Sequence, residues 1–542
     1  MDKIPPIKAG CKLIHNAKPV DLNRRPVMMT SLGCHVQGAA LPHSDNADPG
    51  TSEAGVRKRV FFRPPTADNQ LVRGLRKFVR KYVRGNYQRL TPDTDLSVQT
   101  WLDGTDYPQW RKDELLELYG ELSQEELSKL IKNKSFIKDE CYGEFKHSRT
   151  INGREDASKI FIGPVIKQIE SIVYQDPAFI KHVPVAKRPD YIKALYAPGD
   201  RVFVSDYSSF ESLFVKSLMI SCEQELLKWM VSALPNRQEL TQWMESTWTG
   251  ENLLVFKHFT AKVPATRMSG DMITSLCNGF SNLMFVKYLC HLKGSDCRGV
   301  VEGDDGLYYV RGEPPTVTDF EGLGLKIKLA EIQAAEVGSF CGMIFDSDEG
   351  SIICDAMKQM AKFGWGSAQY RFSSVRKRMV LLRSKSLSLA YQYQGCPILT
   401  SLAKYGLRVT KGIRIDKYLE NQRNVYQREV FREMPKDEKD IIWKDVGVAT
   451  RELYQRLYGV SVRDQVAIEK YLDDLDVLKP LDHPAILGNC ADPWVLYYQM
   501  YVGDYYDTDP DYPFPLWRDY VDFKPEFRRK GHHHDVVAES AG

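Results

Sequence analysis

No stretch of the sequence carries 18 or more consecutive apolar residues, so no membrane-spanning helix is expected. The opening MDKIPPIKAGCKLIHNAKP lacks the apolar core of a secretion signal. Any membrane attachment is expected to come through a partner or a surface patch. Cysteine is sparse: eleven residues, scattered, with no C-x-x-C pair. That pattern points to reduced thiols in a cytosolic compartment and argues against a disulfide framework or a zinc site. His532, His533 and His534 read as a tail tract rather than a ligand set. There is no internal repeat. Neither charge dominates, with a net charge of +3. Apolar residues at 43% and charged residues at 27% of 542 exclude global disorder and leave room for three or four packed units.

The balanced total hides segregation. Eleven Lys or Arg stand between Arg57 and Arg89 against one acid, Asp68. Six more stand between Arg371 and Lys385 with no acid. Such blocks suit a polyanion, although either alone also fits a solvated helix face. The candidate polyanion contacts are Arg73, Arg76, Lys77, Arg80 and Lys81 in the first block, and Arg376, Lys377 and Arg378 in the second.

Periodicity gives a coarse map. The first 55 residues, rich in Pro, Gly, His and Asn, read as extended chain wrapping a surface. Residues 70–90 place Leu71, Leu75, Phe78, Val79, Tyr82 and Val83 on one helical face. A second helix is expected over 111–132, and a basic, mixed stretch with Gly and Pro breaks over 135–167. RVFVSDYSSF reads as a strand entering a turn, residues 211–234 as helical, and GVVEGDDGLYYV as a hairpin. From 355 to 478 the pattern is helical; the last fifty residues are expected to be irregular.

Chemistry concentrates in three places. Asp304 and Asp305 sit at the hairpin tip, where two carboxylates meet Mg²⁺'s preference for hard oxygen ligands. GDD alone is also an ordinary turn sequence. Asp206 ends an apolar strand, and Glu211 follows five positions later. Two adjacent strands ending in Asp206 and Asp304 can hold a metal pair that clamps a phosphoryl transfer. Between them, Ser269 and Gly270 turn the chain into a helix whose Thr274 and Asn278, four apart, share one face. A hydroxyl and an amide on that face can read a ribose 2′-OH.

The ordered set DYSSFE, SGDMITSLCN and GDD resembles motifs A, B and C of the viral RNA-dependent RNA polymerases. The surroundings of RMSGDM are most similar to those of tombus-like and noda-like positive-strand RNA viruses. The resemblance is strongest over residues 136–365, with 63 positions from Asp206 to Ser269 and 35 from Ser269 to Asp304. Upstream, FIKDECYGEFKHSRTINGR resembles basic motif F through Lys138, Glu140, Lys146, Arg149 and Arg154, with Ser148 where relatives carry proline. GLGLKIKLAE resembles motif D, whose lysine protonates leaving pyrophosphate; Lys326 and Lys328 are both candidates. FCGMIF, with Cys341 and Gly342, resembles the primer-grip motif E. Relatives carry Asp where this chain has Glu211.

The resemblance implies an α+β right-hand polymerase. Residues 1–197 would form an N-terminal extension and fingers, with motif F at about 136–167. Residues 198–365 would form a palm with an antiparallel sheet and a fingers insertion at about 223–262, and 366–542 a helical thumb and tail. The implied reaction is RNA-directed nucleotidyl transfer that replicates and transcribes a positive-strand RNA genome. Its cofactors would be two Mg²⁺ ions, with Mn²⁺ as a substitute, on Asp206, Asp304 and Asp305. Lys138, Lys146, Arg149, Arg154, Glu211, Ser269, Gly270, Thr274 and Asn278 would hold the nucleotide. Implied partners are template and product RNA, NTPs, and viral or host replication factors, in membrane-associated complexes of the host cytoplasm. The rivals are a reverse transcriptase-like polymerase and a non-catalytic RNA-binding protein. The acidic tail carries twelve aromatics between Trp494 and Phe527 and is expected to be packed, either over the thumb or within the RNA cleft.

Overall fold

The computed structural model describes residues 5–20, 28–122, 131–332, 340–346, 348–415 and 434–503. It is a mixed fold with two principal sheets, and the smaller one carries the candidate carboxylates. That sheet runs in the order β10 (Ile327–Ile332), β5 (Arg201–Tyr207), β9 (Asp305–Arg311), β8 (Asp296–Glu302), antiparallel throughout. Period-2 alternation divides its side chains. Phe203, Tyr207, Tyr308 and Val310 share a core with the helix Thr274–Leu292 behind the sheet. Val202, Leu307 and Tyr309 share a separate core with Ile180, Ile192, Phe340 and Phe345 in front. Each buried aliphatic or aromatic residue contributes about 1.5–3 kcal/mol, so the sheet is fixed from both sides up to its end. Asp206 and Asp305 occupy that end.

The larger sheet runs β1 (Lys12–His15), β7 (Phe259–Pro264), β6 (Glu251–Val255), β3 (Lys132–Ile137), β4 (Thr150–Arg154). Its inner face, with Leu254, Phe259, Ala261 and Val263, packs against Val56, Val60 and Phe61 of the segment that begins as the helix Pro49–Arg59. Residues 223–262 contribute two helices, Glu223–Val231 and Arg237–Trp248, and then these two central strands. The short strands β2 (Met29–Ser31) and β13 (Trp365–Ser367) pair, as do β11 (Ile344–Asp346) and β12 (Ser351–Ile353).

Several expectations change. Residues 111–132 are not one helix: the helix spans Gln109–Glu121, and Lys132 already opens β3. Pro164 does not break the chain but lies within the helix Asp156–Val173. The early segment does more than wrap a surface. Leu32, Cys34 and Ala39 are fully buried among the C-terminal helices, which include Ala356–Phe363, Val375–Gln392 and Leu399–Val409. Trp494, Tyr497 and Tyr498 are buried as expected: Trp494 in the core shared by Leu32–Leu41 and the C-terminal helices, Tyr497 and Tyr498 with Met29, Ala40 and Trp365. Trp494 Nε1 donates to the Gly143 carbonyl at 2.8 Å. The remaining aromatics from Tyr505 onward lie outside the described residues.

Candidate active site

Glycine explains the hairpin tip. Gly303 has φ of +63° at the first central position of a two-residue turn, where a II′ hairpin takes glycine. The turn leaves Glu302 and Asp305 directly paired. Ser205 pairs with Gly306, so Asp206 lies beside Asp305; on the other side Lys328 pairs with Asp206. Cross-strand partners share a face. A row therefore crosses all four strands: Lys328, Asp206, Asp305, Glu302. Asp304 stands at the tip of the turn.

The carboxylates are close enough to oppose one another's charge. Burial, then Glu211 and Asp305, push the Asp304 carboxyl up to about 7, while Arg149 acts against the rise. Asp305 is raised by burial, then by Asp206 and Glu302, with the Cys341 thiol and Arg149 opposing. Glu302 is held by Arg188 at 3.5 Å and by the Cys341 thiol at 3.8 Å. Among the described residues no three His, Cys, Asp or Glu side chains close into a metal cage. The donor set nevertheless suits Mg²⁺. That ion takes one or two carboxylates and fills its octahedron with water and substrate phosphate. Carboxyls that raise one another's proton affinity are groups a divalent cation neutralises.

The helix behind the sheet supports this tip. Asn282, fully buried, donates to the Asp304 carbonyl at 3.0 Å. Its side-chain oxygen accepts from Tyr308 at 2.8 Å, Tyr207 at 3.2 Å and Ser205 at 3.4 Å. Gly279 lets the helix approach: a Cβ there would lie 3.1 Å from Phe179 and 3.6 Å from the Gly303 nitrogen. One turn earlier, the Asn278 oxygen accepts from Arg267 Nε at 3.2 Å. Arg267 is itself buried against Glu223 and lies over the Phe214 ring at 4.8 Å. Thr274 does not stand open beside Asn278; its hydroxyl donates to the Met268 carbonyl at 2.6 Å and shapes the loop. Ser269 joins that loop to β4, donating to the Thr150 carbonyl at 2.7 Å and accepting from the Asn152 amide at 3.3 Å.

The basic candidates divide. Arg149 faces the carboxylates: burial opposes its charge, but Glu140, Glu211 and Asp304 hold it protonated. Lys138 pairs with Glu140 at 2.9 Å, and Lys146 with Glu144 at 3.2 Å. Arg154 is a correction. It is buried on Asp271, with Asn252 at 2.8 Å and the Thr247 carbonyl at 3.3 Å, so it frames the site rather than meeting a triphosphate. Arg378 is likewise buried and donates to the Arg371 carbonyl at 2.7 Å. Arg76 and Arg80 clasp Glu225 at 2.6 and 2.9 Å; Arg73, Lys77, Lys81 and Arg376 stay exposed. Lys377 is half-buried near the Tyr370 ring. Lys326 Nζ sits 5.6 Å from the Phe62 ring, and Lys328 stands opposite Asp206. Glu302, Asn282, Arg267, Glu223 and Arg188 were absent from the sequence-derived set. Asn282, four positions after Asn278, Glu302, beside GDD, and Arg267, at the head of RMSGDM, carried a local signal.

A sequence model of the family described as viral RNA-dependent RNA polymerase matches residues 159–377. The span contains the carboxylate row, the Ser269–Asn278 loop and helix, and Lys326; Lys138–Arg154 precedes it. The RNA-directed RNA polymerase of Turnip crinkle virus is 26% identical over 244 residues, 43% of this chain and 31% of that protein. That of Panicum mosaic virus (strain United States/Kansas 109S) is 26% identical over 234 residues, 40% of this chain and 22% of that protein. The chain thus spans under a third of those relatives' lengths in the match. Through the segment that holds its carboxylate row, this chain resembles the viral RNA-dependent RNA polymerases.

Proposed function

We propose that the chain catalyses template-directed addition of ribonucleoside triphosphates to an RNA 3′ end, releasing pyrophosphate, in the replication of a positive-strand RNA virus. The observation that carries this is the row Lys328–Asp206–Asp305–Glu302, with Asp304 at its tip, inside the segment that matches the polymerase family. In this reading the four-stranded sheet and its helices are a palm (198–365), the larger sheet belongs to fingers (1–197 with the 223–262 insertion), and 366–542 form a thumb and tail.

Asp206, Asp304 and Asp305 would hold two Mg²⁺ ions, or Mn²⁺ in their place. Bound there, the ions supply the charge that activates a 3′-hydroxyl and steadies a triphosphate. The chain's own groups do the rest. Arg149, already oriented by Glu140, offers a fork to phosphate oxygens. Asn278, buried and with its oxygen engaged by Arg267, would offer its amide NH₂ as the donor to a ribose hydroxyl. Lys328 lies across from Asp206, which supports it, beside Lys326 two residues earlier, as a candidate to give a proton to departing pyrophosphate. Assembly in membrane-associated complexes of the host cytoplasm, through a partner, completes the reading.

A primer-extension assay on a homopolymer RNA template, run with NTPs and with dNTPs, tests it. Incorporation of NTPs alone is expected. Efficient dNTP incorporation would make the chain reverse transcriptase-like. RNA binding with no incorporation, from Mg²⁺- and Mn²⁺-containing reactions alike, would make it a binding protein.

A further inference from the structure

The chain leading into the helix Thr274–Leu292 carries a full positive charge into the interior. The Arg267 side chain is 1% exposed, and Glu223, its ion-pair partner, is fully buried. An unpaired guanidinium there would be costly, so the arginine requires its carboxylate. Glu223 opens the helix Glu223–Val231, and Glu225 follows two positions later. Residues two apart on a helix point about 200° apart. Glu225 accordingly faces Arg76 and Arg80 on one side, and Glu223 faces Arg267 on the other. The other carboxylates near Arg267 are engaged elsewhere. Arg154 and Trp248 Nε1 hold Asp271, and Glu211 acts on Arg149 and Asp304.

The pair reaches the proposed nucleotide site through Arg267. The Arg267 amide donates to the Glu211 carbonyl at 3.3 Å. Its Nε donates to the Asn278 side-chain oxygen at 3.2 Å. Its guanidinium lies 4.8 Å over the ring of Phe214, which closes the helical turn Phe210–Leu213 that carries Glu211. A guanidinium is planar, so fixing its outer nitrogen on Glu223 also fixes the direction of Nε–H. Asn278 depends on that direction. The two ends of its amide are nearly equal in size, and packing alone distinguishes them poorly. The hydrogen bond from Arg267 holds the oxygen inward and leaves the NH₂ as the end that would meet a ribose hydroxyl. A hydroxyl that gives its proton to a carboxylate such as Glu211 then has a donor for its own oxygen.

We infer that Glu223 is a positioning residue for sugar choice: by pinning Arg267 it fixes the Asn278 amide, and with it the preference for ribose over deoxyribose, without touching substrate. A pair that only filled the core would support both sugars equally. A pinned amide supports ribose alone, because deoxyribose offers it no hydroxyl. The inference rests on the polymerase reading for its substrate, but part of its test requires no synthesis.

Single-nucleotide addition by the full chain, with UTP and with dUTP, tests it. Glu223→Gln keeps the shape and removes the charge. The ratio of kcat/KM for UTP to that for dUTP should fall about tenfold or more, chiefly through a raised KM for UTP. Stranding the guanidinium costs stability, so Glu223→Met with Arg267→Met is the companion variant. It removes both charges, which a core tolerates, and its urea midpoint should stay near that of the wild type while the ratio falls as before. Glu223→Gln added to Asn278→Asp should lower the ratio no further than Asn278→Asp alone. Equal losses for UTP and dUTP in the folded double-Met variant overturn the inference and leave the pair to the core. So do losses that multiply those of Asn278→Asp. Equilibrium binding of α,β-methylene UTP and its 2′-deoxy form, in which carbon bridges the phosphates and blocks transfer, separates the two readings. A wild type that prefers the ribose form, loses that preference with Glu223→Gln and yet adds no nucleotide would sink the polymerase reading alone. A wild type that adds UTP, with variants that keep its sugar ratio, would sink the positioning role alone.

Discussion

Asp304→Asn should stabilise the metal-free protein, and increasingly so as pH rises. The native carboxyl keeps its proton to about pH 7, whereas an unfolded chain releases it near the ordinary value of 3.8. Between those limits the native state binds more protons than the unfolded state, so stability falls as pH rises and levels off above about 7. Each tenfold change in proton affinity corresponds to about 1.4 kcal/mol, giving about 4 kcal/mol over the whole interval. Water reaching the half-buried turn screens part of this, and about 2 kcal/mol is the working figure. An asparagine carries no charge to repel Glu211 and Asp305, so the variant escapes the loss. The assay is urea unfolding in EDTA at pH 5, 6, 7 and 8, followed by tryptophan fluorescence. The gap between variant and wild type should widen from pH 5 to pH 7 and then hold. Excess Mg²⁺ should narrow it, because an ion that binds only the native carboxylates stabilises the wild type by mass action. A gap independent of pH, or one that closes as pH rises, would refute the reasoning that these carboxylates crowd one another.

Asn282→Leu should lower kcat by at least tenfold with KM for NTP little changed, because the Asp304 backbone loses its anchor and three hydroxyls lose their acceptor; unchanged turnover in single-nucleotide addition would remove it from the support of the tip. Arg149→Ala should raise KM for NTP while the fold holds, whereas Arg154→Ala should cost about 3 kcal/mol of stability by stranding Asp271; equal losses of stability in urea melts would erase the distinction between them. Asn278→Asp should lower the ratio of NTP to dNTP incorporation, since an amide donor becomes an acceptor; an unchanged ratio would separate Asn278 from sugar reading. Charge reversal of Arg76 with Arg80 should destabilise the helix pair around Glu225 and leave the salt slope of RNA binding where it was; a flattened slope would show that this helix contacts RNA after all.

The hairpin, the strand ending in Asp206 and the helix after Gly270 were legible because each follows from local pattern. Val202–Val204 is apolar, GDD is a turn with its glycine in the required place, and Thr274–Leu292 follows a Ser-Gly break. Charge blocks were less legible, because sequence density does not reveal partners. Arg76 and Arg80 find Glu225 some 145 residues away, and Arg267 finds a buried Glu223. Pro164 misled for a related reason. Its helix, Asp156–Val173, buries Ile162, Val165, Ile166 and Ile169 in the main core, and that packing outweighs the lost hydrogen bond of one proline.

The division among the motif F arginines was available in the sequence, through parity. Once residues 150–154 are a strand, alternate side chains face opposite ways. Arg149 then shares a face with Ile151 and Gly153, and Arg154 with Thr150 and Asn152. The two arginines cannot both meet a triphosphate on one side of the sheet. The surroundings separate them: Thr150, Asn152 and Arg154 are buried, whereas Ile151 and Gly153 on the other face are half-buried. The same rule on β3 separates Lys132, Lys134, Phe136 and Lys138 from the packed Asn133, Ser135 and Ile137. A basic stretch that seems uniform along the chain thus resolves into an interior set that builds the frame and an exterior set that leads to Asp304. Shifting the β3–β4 register by one residue would exchange the two sets, burying lysines and exposing Ile137. The burial of Arg154 on Asp271 opposes that slip, because moving it would leave a carboxylate unpaired inside the protein.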